Sequence, residues 1–272
     1  MIRYANVNME TRTPETGLKG LCPACGHPVT AKCGAVRIHH WAHLKRIDCD
    51  PWWEPMTQWH LDWQDHFPKE WREKVFRDDS TGEFHRADIQ TPKGITIEFQ
   101  HSALSIDELL RRNNFYKKLI WVINAQSFKN NIKLTMSIPN PRSSIMAPFN
   151  FSVSSEGFAS FPQYFVKEDL QHGPLIYNKG LNDEQRKAIV NCEKSNPEIY
   201  WLFNWSYRHK AWLNSKAPVF LDFGEDILYW IRKREQIGTP LVYLQCVKKE
   251  DFISKYAAKE VLDGASDNIS GD

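Results

Sequence analysis

The sequence predicts an α/β (α+β) protein in three parts: a small N-terminal metal-binding module, a central mixed sheet with helices on its faces, and a C-terminal mixed α/β or β-rich domain. Three observations predict this class. Cysteine and histidine residues are concentrated near the N-terminus, runs typical of helices and strands alternate through the middle of the chain, and a polar stretch rich in Pro, Asn and Ser precedes the C-terminal part. Alternation of this kind is typical of sheets covered by helices.

Length and composition permit more than one domain. The chain has 272 residues, of which 42% are hydrophobic, enough for at least one large core. A net charge of +2 and a pI near 8.1 are only mildly basic, so affinity for nucleic acid must come from local patches. No run is apolar enough to span a bilayer, and residues 1–17 lack the apolar core of a signal peptide. We therefore expect a cytoplasmic protein with no membrane partner.

The first motif lies in residues 1–50 and has the spacing of zinc ligands. Its predicted ligands are two thiolates and two imidazoles, Cys22, Cys25, His40 and His43. Three neighbours can each replace one of these ligands, His39 for His40 and Cys33 or Cys49 for a histidine. A closed shell of this kind binds structural zinc, and it suits a reduced compartment better than a disulfide framework. The alternative is a set of buried thiols and surface histidines.

A helix is predicted to open the central part, residues 55–138. Thr57 can cap it, and an aromatic stripe that includes Trp59 and Trp63 can pack against a sheet. His60 lies on the edge of that stripe. It is either a hydrogen-bonded core histidine or a residue at the rim of a site.

Three strands are expected next, at residues 73–79, 84–90 and 95–101. The turn before Ile95 folds the second strand back on the third, which brings Asp88 close to Glu98. Buried carboxylates in such a pair usually share a proton or bind a divalent cation. The alternative is two solvated acids on a half-exposed sheet.

A basic helix and a buried strand complete this part. Ser105 and Glu108 form a capping box, and the strand follows at residues 119–125. The helix and the residues just after it carry four basic side chains and one aromatic ring. These are Arg111, Arg112, Lys117 and Lys118, with Tyr116.

The C-terminal part, residues 160–262, is predicted as a separate accessory domain, followed by a disordered tail at 263–272. Its aromatic residues and basic groups form either a surface that stacks bases and binds phosphates or an ordinary core with a solvated face. The basic groups are Arg208, His209, Lys210 and residues 232–234. The acids Asp222, Glu225 and Asp226 are either a second metal site or turn caps.

The ordered motifs CPAC, HHWAH, TQWH, HRAD, IEFQHS, RNNFY and LIWVINA resemble the PD-(D/E)XK nuclease superfamily, and more narrowly its CoiA-like group of competence proteins. The resemblance implies a PD-(D/E)XK-like core of helix, three strands, helix and strand behind a zinc-ribbon-like module. It implies that Asp88 and Glu98 bind Mg²⁺ or Mn²⁺ and that Gln100 and His60 complete the catalytic site. The residues His85, Ser102, Arg112 and Tyr116 match positions that recur in the group. With the basic residues Lys117 and Lys118, they make a set of six that we expect to contact nucleic acid.

Gln100 stands where the wider superfamily has lysine, although the CoiA-like pattern has Gln there. An amide can orient water but cannot stabilise developing charge, so that work passes to the metal and to His60 or Arg112. We therefore expect slow or regulated cleavage. Glu73, just ahead of the first strand, is either a further acidic ligand or a surface glutamate.

The sequence thus favours a metal-dependent nuclease acting on DNA, incoming or foreign, in competence or defence. The alternative is a non-catalytic adaptor with a degenerate nuclease site that supports recombination. The expected partners are DNA, single-stranded DNA included, and a recombination or defence-system protein. The choice between DNA and RNA, endo and exo action, and the oligomeric state stay open.

Overall fold

The computed structural model describes residues 2–45, 49–52, 54–78, 81–151, 164–167, 181–195, 198–206 and 210–258. The α-helices in these ranges are α1 Gln58–Asp65, α2 Ile106–Phe115, α3 Asp183–Ser195 and α4 Lys249–Ala257. The strands are β1 Ala5–Val7, β2 Glu10–Arg12, β3 Lys19–Leu21, β4 Pro28–Lys32, β5 His40–His43, β6 Arg72–Arg77, β7 Phe84–Gln90, β8 Thr96–Gln100, β9 Leu119–Asn124, β10 Ile132–Ile138, β11 Phe149–Phe151, β12 Tyr164–Val166, β13 Tyr200–Trp205, β14 Val219–Asp222, β15 Ile227–Arg234 and β16 Leu241–Lys248. Short 3₁₀ helices span Lys69–Trp71, Gln126–Asn131 and Lys210–Asn214.

The N-terminal module is a small antiparallel sheet in the order β2-β1-β3-β4-β5. Its core includes Ile2, Val29 and Trp41, and Val75 and Phe84 of the central part pack against that core. The module is therefore joined to the rest of the protein by apolar contacts as well as by the chain.

A mixed sheet of nine strands forms most of the rest of the described fold, in the order β10-β13-β16-β15-β14-β9-β8-β7-β6, and β11 and β12 form a separate antiparallel pair. Strand β9 pairs in parallel with both β8 and β14, and the other pairs in the sheet are antiparallel. Residues 119–123 of β9 are fully buried, as expected of a central strand. The α/β class is confirmed.

Helices cover both faces of this sheet. Trp63 of α1 and Phe252 of α4 pack on the face that carries Val122, whereas Leu109 of α2 packs on the face that carries Trp121. Both helix starts follow the predicted capping. The Thr57 hydroxyl accepts a hydrogen bond from the His60 backbone, and the Ser105 hydroxyl accepts one from the Glu108 backbone at 3.1 Å.

The C-terminal strands extend the central sheet, whereas the sequence predicts a separate domain over residues 160–262. Strand β14 lies beside β9, with Val219 opposite Trp121 and Asp222 opposite Asn124. The predicted boundary therefore falls within one continuous sheet. Parallel pairing of strands almost one hundred residues apart leaves no local sequence signal, which explains the difference. Arg208, His209 and the tail at 263–272 lie outside the described residues, and no described helix is long and apolar enough to cross a membrane.

Candidate active site

Strands β7 and β8 carry the two predicted acids at the point where their regular pairing ends. The ladder joins Gln90 to Thr96 and Ile89 to Ile97, and the next positions along it are Asp88 and Glu98. There the Asp88 carboxylate itself accepts a hydrogen bond from the backbone N–H of Phe99, at 2.8 Å. A side chain thus takes the place of a strand-to-strand bond, and it fixes Asp88 beside the strand that carries Glu98.

Helix α1 holds Asp88 from one face of the sheet. His60 Nε2 lies 2.7 Å from Asp88 Oδ1, and Gln64 Nε2 donates to the same oxygen at 3.2 Å. Burial by itself would lower the pKa of His60, but the charge of Asp88, the hydrogen bond to it and the charges of Glu73 and Glu54 together raise this pKa. His60 is therefore buried and paired with Asp88, and it lies within the candidate site.

Glu98 is buried on the side of α2, with 8% of its surface exposed. Burial, followed by the charge of Asp88, raises the pKa of Glu98 well above its ordinary value, although the charge of Arg112 and a hydrogen bond from Tyr116 act in the opposite direction. Within the described part of the chain, Glu98 Oε1 is buried and has no hydrogen-bond partner. A buried carboxylate with a free oxygen is unfavourable unless another group neutralises it.

These observations fit a divalent cation held by Asp88 and Glu98. Mg²⁺ and Mn²⁺ prefer carboxylate oxygens, and a cation would satisfy the free Glu98 oxygen and remove the repulsion between the two acids. The donor set alone is consistent with either ion.

Gln100, the third residue of the predicted site, is fully engaged by protein groups. Its amide nitrogen donates to Glu54 and, at 3.1 Å, to the hydroxyl of Ser102, and its carbonyl oxygen accepts from Arg112 at 3.4 Å. Arg112 also donates to the carbonyl of Trp52 at 3.3 Å and pairs with Glu108. Both ends of the Gln100 amide thus have protein partners, and the expected role of orienting a water molecule would fall to the second lone pair of its carbonyl oxygen.

Glu73 lies in the interior, which corrects the reading of it as a surface residue. Its side chain is 5% exposed and lies 2.6 Å from Arg86 Nε, and Gln64 donates to it at 2.7 Å. Its φ of 53° is rare for a residue with a Cβ. Because Gln64 contacts both Glu73 and Asp88, Glu73 belongs to the surroundings of the site. A lone acid at the start of a short strand carries no sequence signal for this position.

The six residues predicted to contact nucleic acid separate into two groups. Ser102, Lys117 and Lys118 are exposed, whereas His85, Arg112 and Tyr116 are buried. Both ring nitrogens of His85 face carboxylates, Asp50 at 2.9 Å and Glu83 at 2.8 Å. His85 thus supports the site from inside the protein, because its ring has no nitrogen free for a phosphate.

A second cluster, in the N-terminal module, can hold a structural metal such as zinc. Its four ligand atoms lie within 4.8 Å of one another and belong to Cys22, Cys25, His43 and Cys49. A hydrogen bond from Cys49 lowers the pKa of Cys22 to about 4, so this thiol is readily ionised, as a zinc ligand must be. Three thiolates and one imidazole form a closed tetrahedral set.

This set differs from the predicted quartet at one position, where Cys49 stands in place of His40. His40 and His43 both lie in β5, and residues three apart on a strand point to opposite faces. The ring of His40 faces the carbonyl of Ile38 at 2.8 Å instead. Cys49 is one of the alternatives that the sequence leaves open, whereas His39 and Cys33 lie outside the cluster.

Of the C-terminal acids, Asp222 connects helices α1 and α4 to strand β14. Asp222 is 1% exposed and accepts hydrogen bonds from the indole N–H groups of Trp59 and Trp63, both at 2.8 Å, and from Lys249 at 3.2 Å. It therefore anchors α1, the helix that carries His60, and it caps the turn that follows β14 by accepting from the backbone of Gly224 at 2.8 Å. Arg232 lies over the ring of Trp230, with 3.7 Å between the guanidinium carbon and the ring centroid.

Comparison with known families gives two matches. The N-terminal domain of competence protein CoiA matches residues 16–51, and the nuclease-like domain of competence protein CoiA matches residues 84–165. Searches of curated proteins and of solved structures give no significant match. Glu54, His60 and Glu73 lie between the two matched ranges. Two domains of one protein match in the same chain, and these matches support a CoiA-like competence protein family.

Proposed function

We propose that the protein is a divalent-metal-dependent nuclease that hydrolyses phosphodiester bonds of DNA. The observation that carries the proposal is the buried Glu98 carboxylate of the nuclease-like domain, which has one oxygen without a hydrogen-bond partner and interacts with the charge of Asp88. Two buried acids at this position destabilise the folded protein, and a bound cation would offset that destabilisation.

Asp88 and Glu98 would hold Mg²⁺ or Mn²⁺. A bound cation supplies positive charge to the phosphate and makes water a better nucleophile at neutral pH. His60 orients Asp88, and the Tyr116 hydroxyl orients Glu98. These contacts hold two ligand groups in place before substrate arrives.

Positive charge near the scissile phosphate comes from Arg112, in place of the lysine of the wider superfamily. Arg112 is 4% exposed and acts electrostatically on Glu98. A buried guanidinium keeps its charge and can stabilise negative charge that develops nearby. The exposed Lys117 and Lys118 would bind flanking phosphates, a contribution that weakens with salt.

The substrates would be DNA taken up by the cell or foreign DNA, single-stranded DNA included. Cleavage would take place in the cytoplasm, and a recombination or defence-system protein would be a partner. The CoiA-like family supports the link to competence. The two basic residues at the end of α2 give a local patch on a chain that has little net charge.

A second candidate function is a non-catalytic adaptor that binds nucleic acid and supports recombination. It is favoured by Gln100, because a site without the lysine and with both ends of this amide engaged has lost one group that usually assists cleavage. The adaptor would bind DNA through its basic patch and would leave it intact.

The two functions are separated by incubating labelled single- and double-stranded DNA and RNA with Mg²⁺ or Mn²⁺. Wild type, Glu98→Ala and a matched control, Glu184→Ala, are compared. Glu184 is an exposed acid on α3, which packs at the opposite end of the sheet. Cleavage by wild type and Glu184→Ala, but not by Glu98→Ala, supports the nuclease. Binding without cleavage of any substrate supports the adaptor.

A further inference from the structure

A short segment connects the Cys/His cluster to the candidate active site. It begins at Cys49 and ends at Glu54, and Trp53 within it lies outside the described residues. Glu54 lies outside both ranges that match family domains. Its carboxylate nevertheless reaches strand β8 and the residues that follow it, where its side chain is 11% exposed.

Each oxygen of Glu54 has partners in this region. Oε1 accepts hydrogen bonds from the Gln100 amide nitrogen and from the Ser102 hydroxyl. Oε2 lies 2.7 Å from His101 Nδ1 and accepts from the His101 backbone at 3.4 Å. Burial alone would raise the pKa of Glu54, but hydrogen bonds from His101 and Ser102 outweigh burial and lower it. Glu54 is thus an ionised carboxylate that can only accept hydrogen bonds.

An acceptor at this position fixes which way the Gln100 amide points. The amide must turn its nitrogen toward Glu54, and its carbonyl oxygen then faces Arg112, 3.4 Å from the guanidinium nitrogen. The reversed amide would place two acceptors against each other at Glu54 and two donors against each other at Arg112. Glu54 and Arg112 therefore hold Gln100 between an anion and a cation.

We propose that Glu54 is a positioning residue of the nuclease site, which fixes the Gln100 amide and through it the Arg112 guanidinium beside Glu98. The inference rests on the proposed nuclease function and adds a residue to it. Glu54 has no free oxygen to offer a cation, so it acts through Gln100.

The first test is a double-mutant cycle on cleavage with Glu54→Ala, Gln100→Ala and the double variant. Glu54→Ala is expected to lower kcat by about 10- to 100-fold with little change in KM for DNA, because a misplaced guanidinium costs rate more than binding. In the Gln100→Ala background the same change is expected to have no further effect. If Glu54→Ala lowers kcat by the same factor in that background as in wild type, Glu54 acts independently of Gln100 and the proposal is overturned.

A conservative variant distinguishes positioning from a need for the charge. Glu54→Gln keeps one acceptor oxygen within reach of Gln100 and Ser102, so it is expected to restore most of the kcat lost in Glu54→Ala. Equal losses in the two variants would show that the charge of Glu54 is required, as for a direct metal ligand, and would contradict positioning. Glu184→Ala is the matched control and is expected to cleave at the wild-type rate.

A second readout does not depend on cleavage. The side-chain amide signals of Gln100, assigned by their absence from the ¹H–¹⁵N spectrum of Gln100→Ala, are expected to move in Glu54→Ala and to stay in place in Glu184→Ala. Unmoved signals overturn the proposal. A wild type that fails to cleave any DNA while these signals still move rejects the nuclease function and supports the arrangement of Glu54 and Gln100.

Discussion

Glu98 is a residue whose buried charge the protein tolerates only at a cost in stability. Its pKa is raised well above the ordinary 4.5 because burial and the charge of Asp88 disfavour the ionised form. Below pH 4.5 the side chain is neutral in the folded and the unfolded chain. As pH rises, the unfolded chain releases this proton first, so the folded state binds more protons and the free energy of unfolding falls until the folded pKa is passed.

Replacing Glu98 by Gln is therefore expected to stabilise the protein at pH 8 in the absence of Mg²⁺ and Mn²⁺. Gln has a similar shape and carries no charge to bury, so the gain in melting temperature should shrink to zero as the pH falls toward 4.5. Added Mn²⁺ should raise the melting temperature of wild type and of the control but not that of Glu98→Gln. A gain that does not depend on pH would contradict a buried, uncompensated Glu98, and Glu184→Gln serves as the control.

The two acids could be predicted from sequence because their proximity depends on a local hairpin. Gly94, with a φ of 71°, closes the turn that brings the strand of Asp88 onto the strand of Glu98. Glu54 and Glu73 could not be predicted, because each reaches the site through contacts between distant segments. The same reason applies to His85, whose partner Asp50 comes from the linking segment thirty-five residues earlier.

At the scale of elements, the segment that begins at Cys49 couples the two sites. Asp50 contacts the ring of His85 at 2.9 Å and accepts from the backbone of Arg86 at 2.9 Å. The ring of Trp52 stacks on His85, with 3.2 Å between centroids, and lies under the Arg112 guanidinium. A metal that fixes Cys49 therefore also restrains the supports of strand β7 and helix α2.

Removal of the N-terminal metal is expected to reduce cleavage as well as stability. Purified protein should contain about one zinc ion per chain, and Cys25→Ser should lose it, melt at a lower temperature and cleave more slowly in excess Mg²⁺. Metal analysis, melting curves and cleavage rates check this, with Glu184→Ala as control. A variant that has lost its zinc but cleaves at the wild-type rate would show that the two sites are independent.

The boundaries of helices and strands could be predicted from sequence wherever the chain has a capping residue or an alternation of apolar and polar residues. The caps at Thr57 and Ser105 define the starts of α1 and α2, and the apolar run from Leu119 gives the central strand β9. Three residues of the Cys/His cluster were in the predicted quartet, and Cys49 was left as an alternative to a histidine, because the choice between Cys49 and His40 depends on which face of β5 each histidine occupies.

For the whole molecule, the order of strands was beyond prediction because it depends on pairing between distant segments. Strand β14 is buried along its whole length and lies against β9, with Phe220 in one core and Leu221 in the other. The acids of β7 and β8 are thus held in a sheet that the C-terminal strands complete.

Truncation after residue 151 is therefore expected to prevent stable folding. It removes β14 and exposes the edge of β9, an apolar strand with unpaired backbone groups. The truncated chain should aggregate or lack the near-ultraviolet circular dichroism of packed aromatic residues, whereas the full chain should have both a native spectrum and a cooperative transition. A soluble truncated chain with a cooperative transition would show that residues 1–151 form an independent unit.

The central claim is that Asp88 and Glu98 hold a divalent cation for phosphodiester cleavage. Its most direct test is the single-turnover rate of DNA cleavage as a function of Mn²⁺ concentration, for wild type, Asp88→Ala, Glu98→Ala and Glu184→Ala. We expect saturable dependence on Mn²⁺ in wild type and Glu184→Ala, and a loss of about 100-fold or more in the other two variants. Wild-type rates in both Asp88→Ala and Glu98→Ala would contradict the claim.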